Sequence, residues 1–338
     1  VTTRRMMTDV LIALVPVVAW SIYLAPIPAI QQIAVCVATC CLTELLFAMA
    51  RGKTFSLLDG SAAVTGIILA MSLPSTTSIY VAMIASTVAI AFGKMVFGGV
   101  GMNLFNPAMV GRAFVMLAFA AALGSPGYIN AIDQKDMQRL DKVGAAPIQY
   151  AVATKDKKGN VEAISAATPL TANKQREAAA KKGKTAGFVT KIQSLIVGNH
   201  IGSLGEVSAI ACLLGGLFLL IRRTAAWQIP LGVLIGAGLI AAILQMMNPD
   251  SPWTIGHELC SGALIFGAFF IATDPVSSPL TPKGRFIFGL GLGLLIMMIR
   301  KLSGYPEGVM FAVLLMNAVV PLINRWTIPA PFGAEKKA

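Results

Sequence analysis

Ten long apolar stretches divide this chain, and they constrain its fold more than any other feature. They lie at about 9–26, 29–50, 60–73, 78–97, 105–123, 206–221, 227–247, 259–273, 286–299 and 308–324. A helix needs roughly 20 apolar residues to cross a bilayer, so these stretches predict an all-α integral membrane protein with about ten transmembrane helices. Charged residues make up only 12% of the chain, and the mean hydropathy is +0.75, which both support that class.

The third, eighth and ninth stretches are short for a full span. Short apolar segments flanked by Gly and Pro are typical of discontinuous helices that face a cavity rather than lipid. The third stretch, SAAVTGIILAMSLP at 61–74, resembles the eighth, SGALIFGAFFIATDP at 261–275. Each is the third segment of a five-segment half. Because five is odd, the halves would form an inverted repeat, although small-residue helix faces also look alike by chance.

Three regions follow from this pattern. We expect a first five-helix membrane half at 1–124, a loop at 125–205 and a second five-helix half at 206–338. Basic residues orient the chain, because Lys and Arg are enriched in short cytoplasmic loops. Ten crossings place most of them inside, with only Arg300 and Lys301 in a short outside loop. The inside set is Arg4, Arg5, Arg51, Lys53, Lys94, Arg222, Arg223, Lys283, Arg285, Arg325, Lys336 and Lys337.

The long loop is then extracytoplasmic, with both termini in the cytoplasm. Residues 125–200 carry twelve Lys and Arg against six Asp and Glu, a formal net charge of +6. Loops longer than about 60 residues translocate largely regardless of charge, so this excess does not oppose the orientation. We expect irregular structure with one helix near 172–183. A loop of this length is either functional or disordered.

A few ionisable residues lie in or beside apolar segments, where they are costly and indicate function by default. Asp59 precedes one of the repeated short helices and Asp274 follows the other, so both are candidates for an ion pathway. An interfacial helix cap is the alternative explanation for each. The remaining residues of this kind are Glu44, Arg112, His257, Glu258 and Glu307.

Several other functions are disfavoured. The net charge of +12 comes from helix ends and one loop, without the basic and aromatic stripe that nucleic acid binding needs. The glycine-rich turn GGVGMNLFNP at 98–107 enters a helix, but no Gly-Lys-Ser/Thr follows, so it is not a P-loop. Only two histidines are present, and the five cysteines form no CxxC pair. Conventional hydrolytic catalysis and a metal centre are therefore not expected.

Six motifs in order identify the chain as a member of a known family. It resembles the D subunit of the Rnf complex and, more distantly, the B subunit of the sodium-pumping NADH:quinone reductase. The motifs are LDGSAAVTG (58–66), GGVGMNLFNPA (98–108), SAATPL (165–170), GNHIGSLGE (198–206), FIATDPVS (270–277) and YPEG (305–308).

The resemblance implies an electron-carrying subunit of an ion-translocating oxidoreductase, which passes electrons between ferredoxin and NAD and couples them to Na⁺ or H⁺ movement. It implies FMN joined by a phosphoester to a loop threonine, in a motif similar to Asp-x-x-Ser-Gly-Ala-Thr. Carried over, Thr168 is the attachment site, and Ser165 and Ala167 fit the motif. Glu162 stands where Asp is usual, and Ala166 replaces the usual Gly. Thr168 precedes Pro169, which favours extended backbone and presents the side chain.

The resemblance also implies a noncovalent flavin, riboflavin, and a urea-transporter-like fold. Implied partners are the A, B, C, E and G types of Rnf subunit, a flavin transferase and membrane lipid. The location would be a bacterial or archaeal plasma (inner) membrane. Related reductase subunits have acids at two positions where this chain has Met95 and Asn324, so Asp59, Asp274 or partner subunits would form the ion path.

Three alternatives remain open at this point. The first is the B subunit of the quinone reductase, which usually carries a long polar N-terminal extension that this sequence does not show. The second is a channel or small-solute transporter on the same fold, which would not need the loop motif. The third is a structural subunit that has lost its flavin, an interpretation that the departures at Glu162 and Ala166 keep open.

Overall fold

The structure is a computed structural model of the chain. It describes residues 2–52, 59–75, 77–119, 151–155, 161–166, 168–181, 190–198, 200, 202–305 and 307–329. Helices occupy the apolar stretches within these ranges. We number the elements α1 to α13 and β1 to β2 in chain order.

The first group of helices comprises α1 (Thr3–Leu24), α2 (Pro26–Ala50), α3 (Ser61–Ser72), α4 (Ile79–Ile90) and α5 (Pro107–Ala118). Their starts follow local chemistry. Thr2 caps α1 by accepting a hydrogen bond from Arg5, and Asn106 caps α5 by accepting one from Met109. Pro26 and Pro107 occupy the first helical positions, where a missing N–H costs nothing.

The second group comprises α8 (Ala209–Ile221), α9 (Gln228–Met247), α10 (Ile255–Cys260), α11 (Leu264–Phe266), α12 (Pro282–Leu302) and α13 (Val309–Thr327). The eighth apolar stretch is broken, as expected for a discontinuous segment. It contains the end of α10, then α11, which continues into a π-helical turn at Gly267–Ile271. The ninth stretch is not short, because its helix α12 continues past both apolar ends into basic residues.

A similar π-helical turn follows α4 at Ala91–Met95. Such turns inside helices are frequent at functional sites. One contains Lys94 and the other ends shortly before Asp274, and both of these residues line the cavity described below.

The predicted loop at 125–205 contains more regular structure than the sequence indicates. Strands β1 (Ala151–Lys155) and β2 (Val161–Ala166) form a short antiparallel hairpin, an addition to a chain that is otherwise helical where the structure describes it. A polar loop can pair strands because its backbone groups need not be satisfied within one helix, as they must be in lipid. Helix α6 spans Pro169–Lys181, close to the predicted helix at 172–183, and α7 spans Ile192–Val197.

Within the part of the chain that the structure describes, four helices are long and apolar enough to cross a membrane, namely α1, α2, α9 and α13. Large apolar side chains such as Leu42, Leu46 and Leu239 lie exposed on their outer faces, as expected for surfaces that contact lipid. The protein is therefore a multi-pass membrane protein. The count of ten crossings and the inverted repeat remain predictions.

Small residues let these helices approach closely. Helices α9 and α12 cross at paired glycines, Gly232 and Gly236 on one helix and Gly289 and Gly293 on the other. A Cβ on Gly232 would lie 2.8 Å from the Leu290 nitrogen. This arrangement resembles the small-xxx-small packing of membrane helices. Helix α1 packs on α8, and α5 packs on α13, which joins the two groups of helices.

Candidate functional site

Thr168 lies immediately before α6 and caps its N-terminus. Its Oγ1 accepts a hydrogen bond from the backbone N–H of Thr171 (3.3 Å) and lies 2.9 Å from the Thr171 hydroxyl oxygen. The Thr168 carbonyl accepts from the N–H of Ala172 (2.8 Å). Threonine is among the preferred residues at this position, because its hydroxyl satisfies an amide that has no partner within the helix. The half-buried side chain is thus held in one place at a helix end.

The other residues of the attachment motif lie along the approach to this cap. Ser165 pairs in register with Val152 in the hairpin, and Glu162 is the extra residue at the register shift in β2. Ala167 lies outside the described residues. The backbone therefore places the motif on a strand that leads toward the N-terminus of α6. The individual roles of these three residues stay predictions.

Helix α6 is fixed to the second group of helices by charged contacts. Lys174 Nζ donates to the carbonyls of Ser303 (2.5 Å) and Tyr305 (3.1 Å), just after α12. Burial and then the charge of neighbouring Lys301 lower the pKa of Lys174. Lys301 Nζ lies 3.2 Å from Glu177 Oε1 of α6. These contacts tie the threonine-bearing helix to the end of α12.

A cavity of about 90 Å³ lies between the two groups of helices. A buried water needs roughly 10–15 Å³ of the space that the centre of a water molecule can reach, which is the space that this volume describes. The cavity therefore has room for several waters. The polar residues that line it come from both groups: Ser61, Thr65, Lys94, Asn103, Asn106, Thr224, Thr273 and Asp274. Met6 and Met7 of α1 also line it, so it lies toward the predicted cytoplasmic side.

Asp274 is one of the residues that line this cavity. Its Oδ1 accepts from the N–H of Val276 (3.2 Å), and its Oδ2 accepts from the Ser277 hydroxyl (2.8 Å). The amide of Asn317, oriented so that both of its atoms are satisfied, donates to the Ser277 carbonyl (3.2 Å) and accepts from the Asn106 N–H (3.0 Å). Asp274 is thus part of a polar network that joins the two groups of helices.

Asp59 reaches the same cavity through an intermediary. Its Oδ1 accepts from the N–H (2.7 Å) and hydroxyl (2.5 Å) of Ser61. The Ser61 oxygen in turn accepts from Lys94 Nζ (2.6 Å), and Lys94 forms an ion pair with Glu44 at 2.7 Å. The structure therefore places Asp59 as a helix-end partner of Ser61. It is Ser61, and not Asp59, that lines the cavity.

The remaining ionisable residues form further buried pairs. Arg300 Nη2 lies 3.2 Å from Glu307 Oε1, and Arg300 Nη1 lies 3.6 Å from Glu258 Oε2. Arg112 Nη2 lies 3.8 Å from Glu206 Oε1. These charges are almost completely buried apart from Glu307, which is slightly exposed. Since unpaired charges are very costly at this depth, pairing explains their presence without any assigned role.

Both histidines have structural contacts. His200 Nδ1 lies 3.3 Å from the Ser194 carbonyl, and burial lowers the pKa of His200 to about 4, so its ring is neutral at ordinary pH. His257 Nδ1 lies 2.8 Å from the Thr254 hydroxyl, and its Nε2 lies 3.1 Å from the Thr190 carbonyl. Across the described ranges, no cluster of three or more His, Cys, Asp or Glu side chains could hold a metal ion.

Sequence reasoning missed several cavity residues. The sequence led us to count Lys94 only among the basic residues that orient the chain in the membrane. In the structure it is buried and paired with Glu44. Ser61 and Asn106 lie inside the motifs that carry the family resemblance, but nothing local to either residue indicates a shared cavity. One pattern in the sequence could have indicated the pair. Lys94 lies within one apolar stretch and Glu44 within another, and opposite charges inside apolar stretches are candidates to pair with each other.

The architecture defines a class of protein. It is a multi-pass membrane protein with broken helices, a cavity with polar walls between two groups of helices, and a threonine that caps a helix between those groups in the chain. The chain belongs to the NQR2, RnfD, RnfE family, whose model matches residues 1–333.

Similar proteins cover nearly the whole chain. The D subunit of an ion-translocating oxidoreductase complex from Stutzerimonas stutzeri is 37% identical over 98% of this chain and 93% of its own length. The D subunit of a proton-translocating ferredoxin:NAD(+) oxidoreductase complex from Clostridium ljungdahlii is 33% identical over 98% and 92%. The D subunit of a Na(+)-translocating ferredoxin:NAD(+) oxidoreductase complex from Acetobacterium woodii is 34% identical over 99% and 92%.

Proposed function

We propose that this chain is the D-type membrane subunit of an Rnf-type ion-translocating ferredoxin:NAD oxidoreductase and that it carries FMN on Thr168. As one subunit of such a translocase, it would not act as a stand-alone catalyst. The observation that carries the flavin assignment is the position of the Thr168 hydroxyl at the N-terminus of α6. The similar proteins named above, which are subunits of such complexes, support the assignment to an oxidoreductase.

The residues around Thr168 fit a phosphoester. The N-terminus of a helix carries partial positive charge and free amides, which together favour a phosphate group. Pro169 has no N–H, so the amide of Leu170 is the first available one, and the amide of Thr171 already donates to the Thr168 oxygen that would be esterified. The 13-residue helix has no acidic side chain in its first turn, and the loop from 125 to 200 has a formal net charge of +6. Nothing charged in that turn would repel the phosphate.

A flavin bound here supplies one- and two-electron chemistry, while the protein holds it at a fixed place and sets its electrostatics. Thr168 would serve as an anchor. The docking of α6 through Lys174 to the end of α12 would keep that anchor at a constant distance from the membrane helices. Constant distance matters because electron transfer slows steeply as the gap between carriers widens.

The test is in-gel fluorescence of the denatured chain after co-expression with a flavin transferase. We expect the wild type to fluoresce and Thr168→Ala to be dark, because the ester has lost its acceptor oxygen. The matched control is Thr171→Ala, which removes the neighbouring hydroxyl but leaves the acceptor, and it should stay fluorescent. A dark wild-type band beside a glowing reference flavoprotein would contradict the proposal and favour a flavin-free structural role or a transporter.

We further propose that ion coupling involves the central cavity, with Asp274 as the foremost candidate and Asp59 acting through Ser61. Asp274 lines the cavity at the end of a broken helix, a position where transporters place ion sites. Both H⁺ and Na⁺ are candidate ions, since similar proteins carry both names.

The assembly and second cofactor are proposed on the family resemblance. They comprise the A, B, C, E and G types of Rnf subunit, a flavin transferase for maturation, and noncovalent riboflavin. The orientation with cytoplasmic termini and an extracytoplasmic loop in a bacterial or archaeal plasma membrane belongs to the same proposal. The B subunit of the quinone reductase is the runner-up, because the matched family model covers that branch as well.

A further inference from the structure

A cleft of about 680 Å³ lies beside α6, between that helix and the end of α9. This volume is within the range of roughly 300–1,000 Å³ that is common for small-molecule sites. The cleft is lined by two residues of α6, by the segment that leads from α9 to α10, and by side chains of α10 and α12. The lining residues used below are Arg176, Glu177, Gln245, Trp253, Glu258 and Lys301.

Two polar atoms in the cleft lining have no hydrogen-bond partner among the described residues. They are Trp253 Nε1 and Gln245 Oε1. Trp253 is 6% exposed. The Glu258 carboxylate, by contrast, is paired with Arg300 and with Lys301. Leaving a buried donor or acceptor unsatisfied costs about 1–3 kcal/mol, so such groups need an explanation. One indole donor and one amide acceptor in a single cleft indicate an occupant that both accepts and donates hydrogen bonds.

A smaller cavity of about 40 Å³ lies nearer to the start of α6. Leu170, Asn173 and Lys174, which lie in the first two turns of α6, line that smaller cavity. Glu177, Glu258 and Lys301 line both. Thr168 and Arg176 are eight residues apart, which is about 12 Å along a helix. A group tethered to Thr168 by a chain of several atoms can therefore extend along α6 into the larger cleft.

We propose that this cleft holds the isoalloxazine ring of the flavin esterified to Thr168, an inference that rests on the function proposed above. The ring system is flat and largely apolar, with carbonyl acceptors and one N–H donor along one edge. The Trp253 N–H matches the acceptors, and the Gln245 amide oxygen matches the donor. Arg176, which lines the cleft, supplies positive charge for the ring when it is anionic after reduction. Lys301 is already paired with Glu177 and Glu258.

The test uses the ability of tryptophan to quench flavin fluorescence by electron transfer at contact distance. The full chain is flavinylated by co-expression with the transferase and purified in detergent. Its flavin emission and lifetime are measured native and after unfolding. We expect native wild type to be several-fold dimmer than the unfolded chain and Trp253→Phe to recover most of the emission. Native emission as bright as the unfolded emission would overturn the proposal.

Trp227→Phe is the matched control. Trp227 lies just before α9, whereas Trp253 follows its other end, about 30 Å away along a 20-residue helix. The Trp227→Phe variant should therefore leave the quenching unchanged. Trp253→Phe that stays as dim as wild type, with equal fluorescence on a denaturing gel, would remove the cleft assignment while leaving Thr168 attachment intact. A wild type without any fluorescence on that gel would instead overturn both.

A second variant does not depend on the indole. Glu258→Gln removes a carboxylate from the cleft, and we expect the midpoint potential of the covalent flavin to shift to a more positive value, because the reduced anionic ring is repelled less. Asp59→Asn is the control, because Asp59 is an acid that lines neither this cleft nor the smaller cavity. Equal potentials in Glu258→Gln and wild type would contradict the proposal. A phospholipid headgroup or a partner segment in the cleft would give that same result.

Discussion

At the scale of single residues, the buried pair of Lys94 and Glu44 is the most consequential feature of the first group of helices. Both side chains are almost fully inaccessible, at 3% and 0%. A charge at this depth is tolerated only when it is paired. Lys94 also donates to Ser61, so this pair supports one wall of the central cavity.

We predict that Lys94→Met destabilises the protein by about 3–5 kcal/mol, because it leaves the Glu44 charge buried without its ammonium partner. The double variant Lys94→Met with Glu44→Gln should recover most of this loss. Buried cysteines such as Cys36, Cys40 and Cys212 provide the measurement, since a thiol-reactive dye labels them only on thermal unfolding. Lys283→Met, at an exposed lysine, is the control. Equal melting temperatures of Lys94→Met and Lys283→Met would contradict the prediction.

At the scale of elements, α9 and α12 depend on backbone contact rather than on large side chains. A Cβ on Gly236 would collide with the Leu290 carbonyl and lie 3.1 Å from the Leu294 nitrogen. In lipid there is no hydrophobic gain from joining two helices, so close packing supplies much of the association energy. The crossing of these two helices therefore has little tolerance for added volume.

Gly236→Ala should destabilise the protein by about 1–3 kcal/mol, the usual cost of overpacking. A Cβ added to Gly238 on the same helix would meet no atom within 4 Å, so Gly238→Ala should be neutral or slightly stabilising. Thermal unfolding in the same detergent compares the two variants. A Gly236→Ala protein as stable as Gly238→Ala would show that α9 and α12 are not packed as closely as described.

At the scale of the whole molecule, the two groups of helices meet around the central cavity. Asp9 of α1 binds Arg222 after α8, with contacts of 3.1 and 3.2 Å to one carboxylate oxygen, and Thr224 donates to the other at 2.9 Å. Asn106 donates to the Ile271 carbonyl at 3.2 Å. Any movement of one group against the other must therefore rearrange the cavity walls, which is the kind of motion that alternating access uses.

Asp274→Asn tests whether this cavity takes part in coupling. The amide keeps one acceptor oxygen but loses the charge, so we expect ion uptake per electron to fall several-fold while the covalent flavin is retained. The measurement uses the complete complex in membrane vesicles, assayed with Na⁺ and H⁺ separately. Asp250→Asn is the control at an exposed acid. Unchanged ion uptake in Asp274→Asn would exclude Asp274 from the path.

The sequence predicted the helical elements well where apolar length and caps decide them. It placed helices over the apolar stretches, a break in the eighth, and a helix in the long loop close to α6. It also singled out Thr168, although the capping role of that residue depends on where α6 begins. It missed the β-hairpin and the full length of α12, because a polar loop has no apolar periodicity and basic helix ends hide the true boundary.

What the sequence by itself determined is the class of protein, since apolar stretches must become membrane helices to satisfy their backbone groups in lipid. What only the tertiary structure decided is which polar groups meet. Ser61, Asn106 and Asp274 are distant in the chain, yet they line one cavity, and Asn106 and Ile271 are 165 positions apart. Local patterns carry no information on such contacts, because they arise from packing between helices.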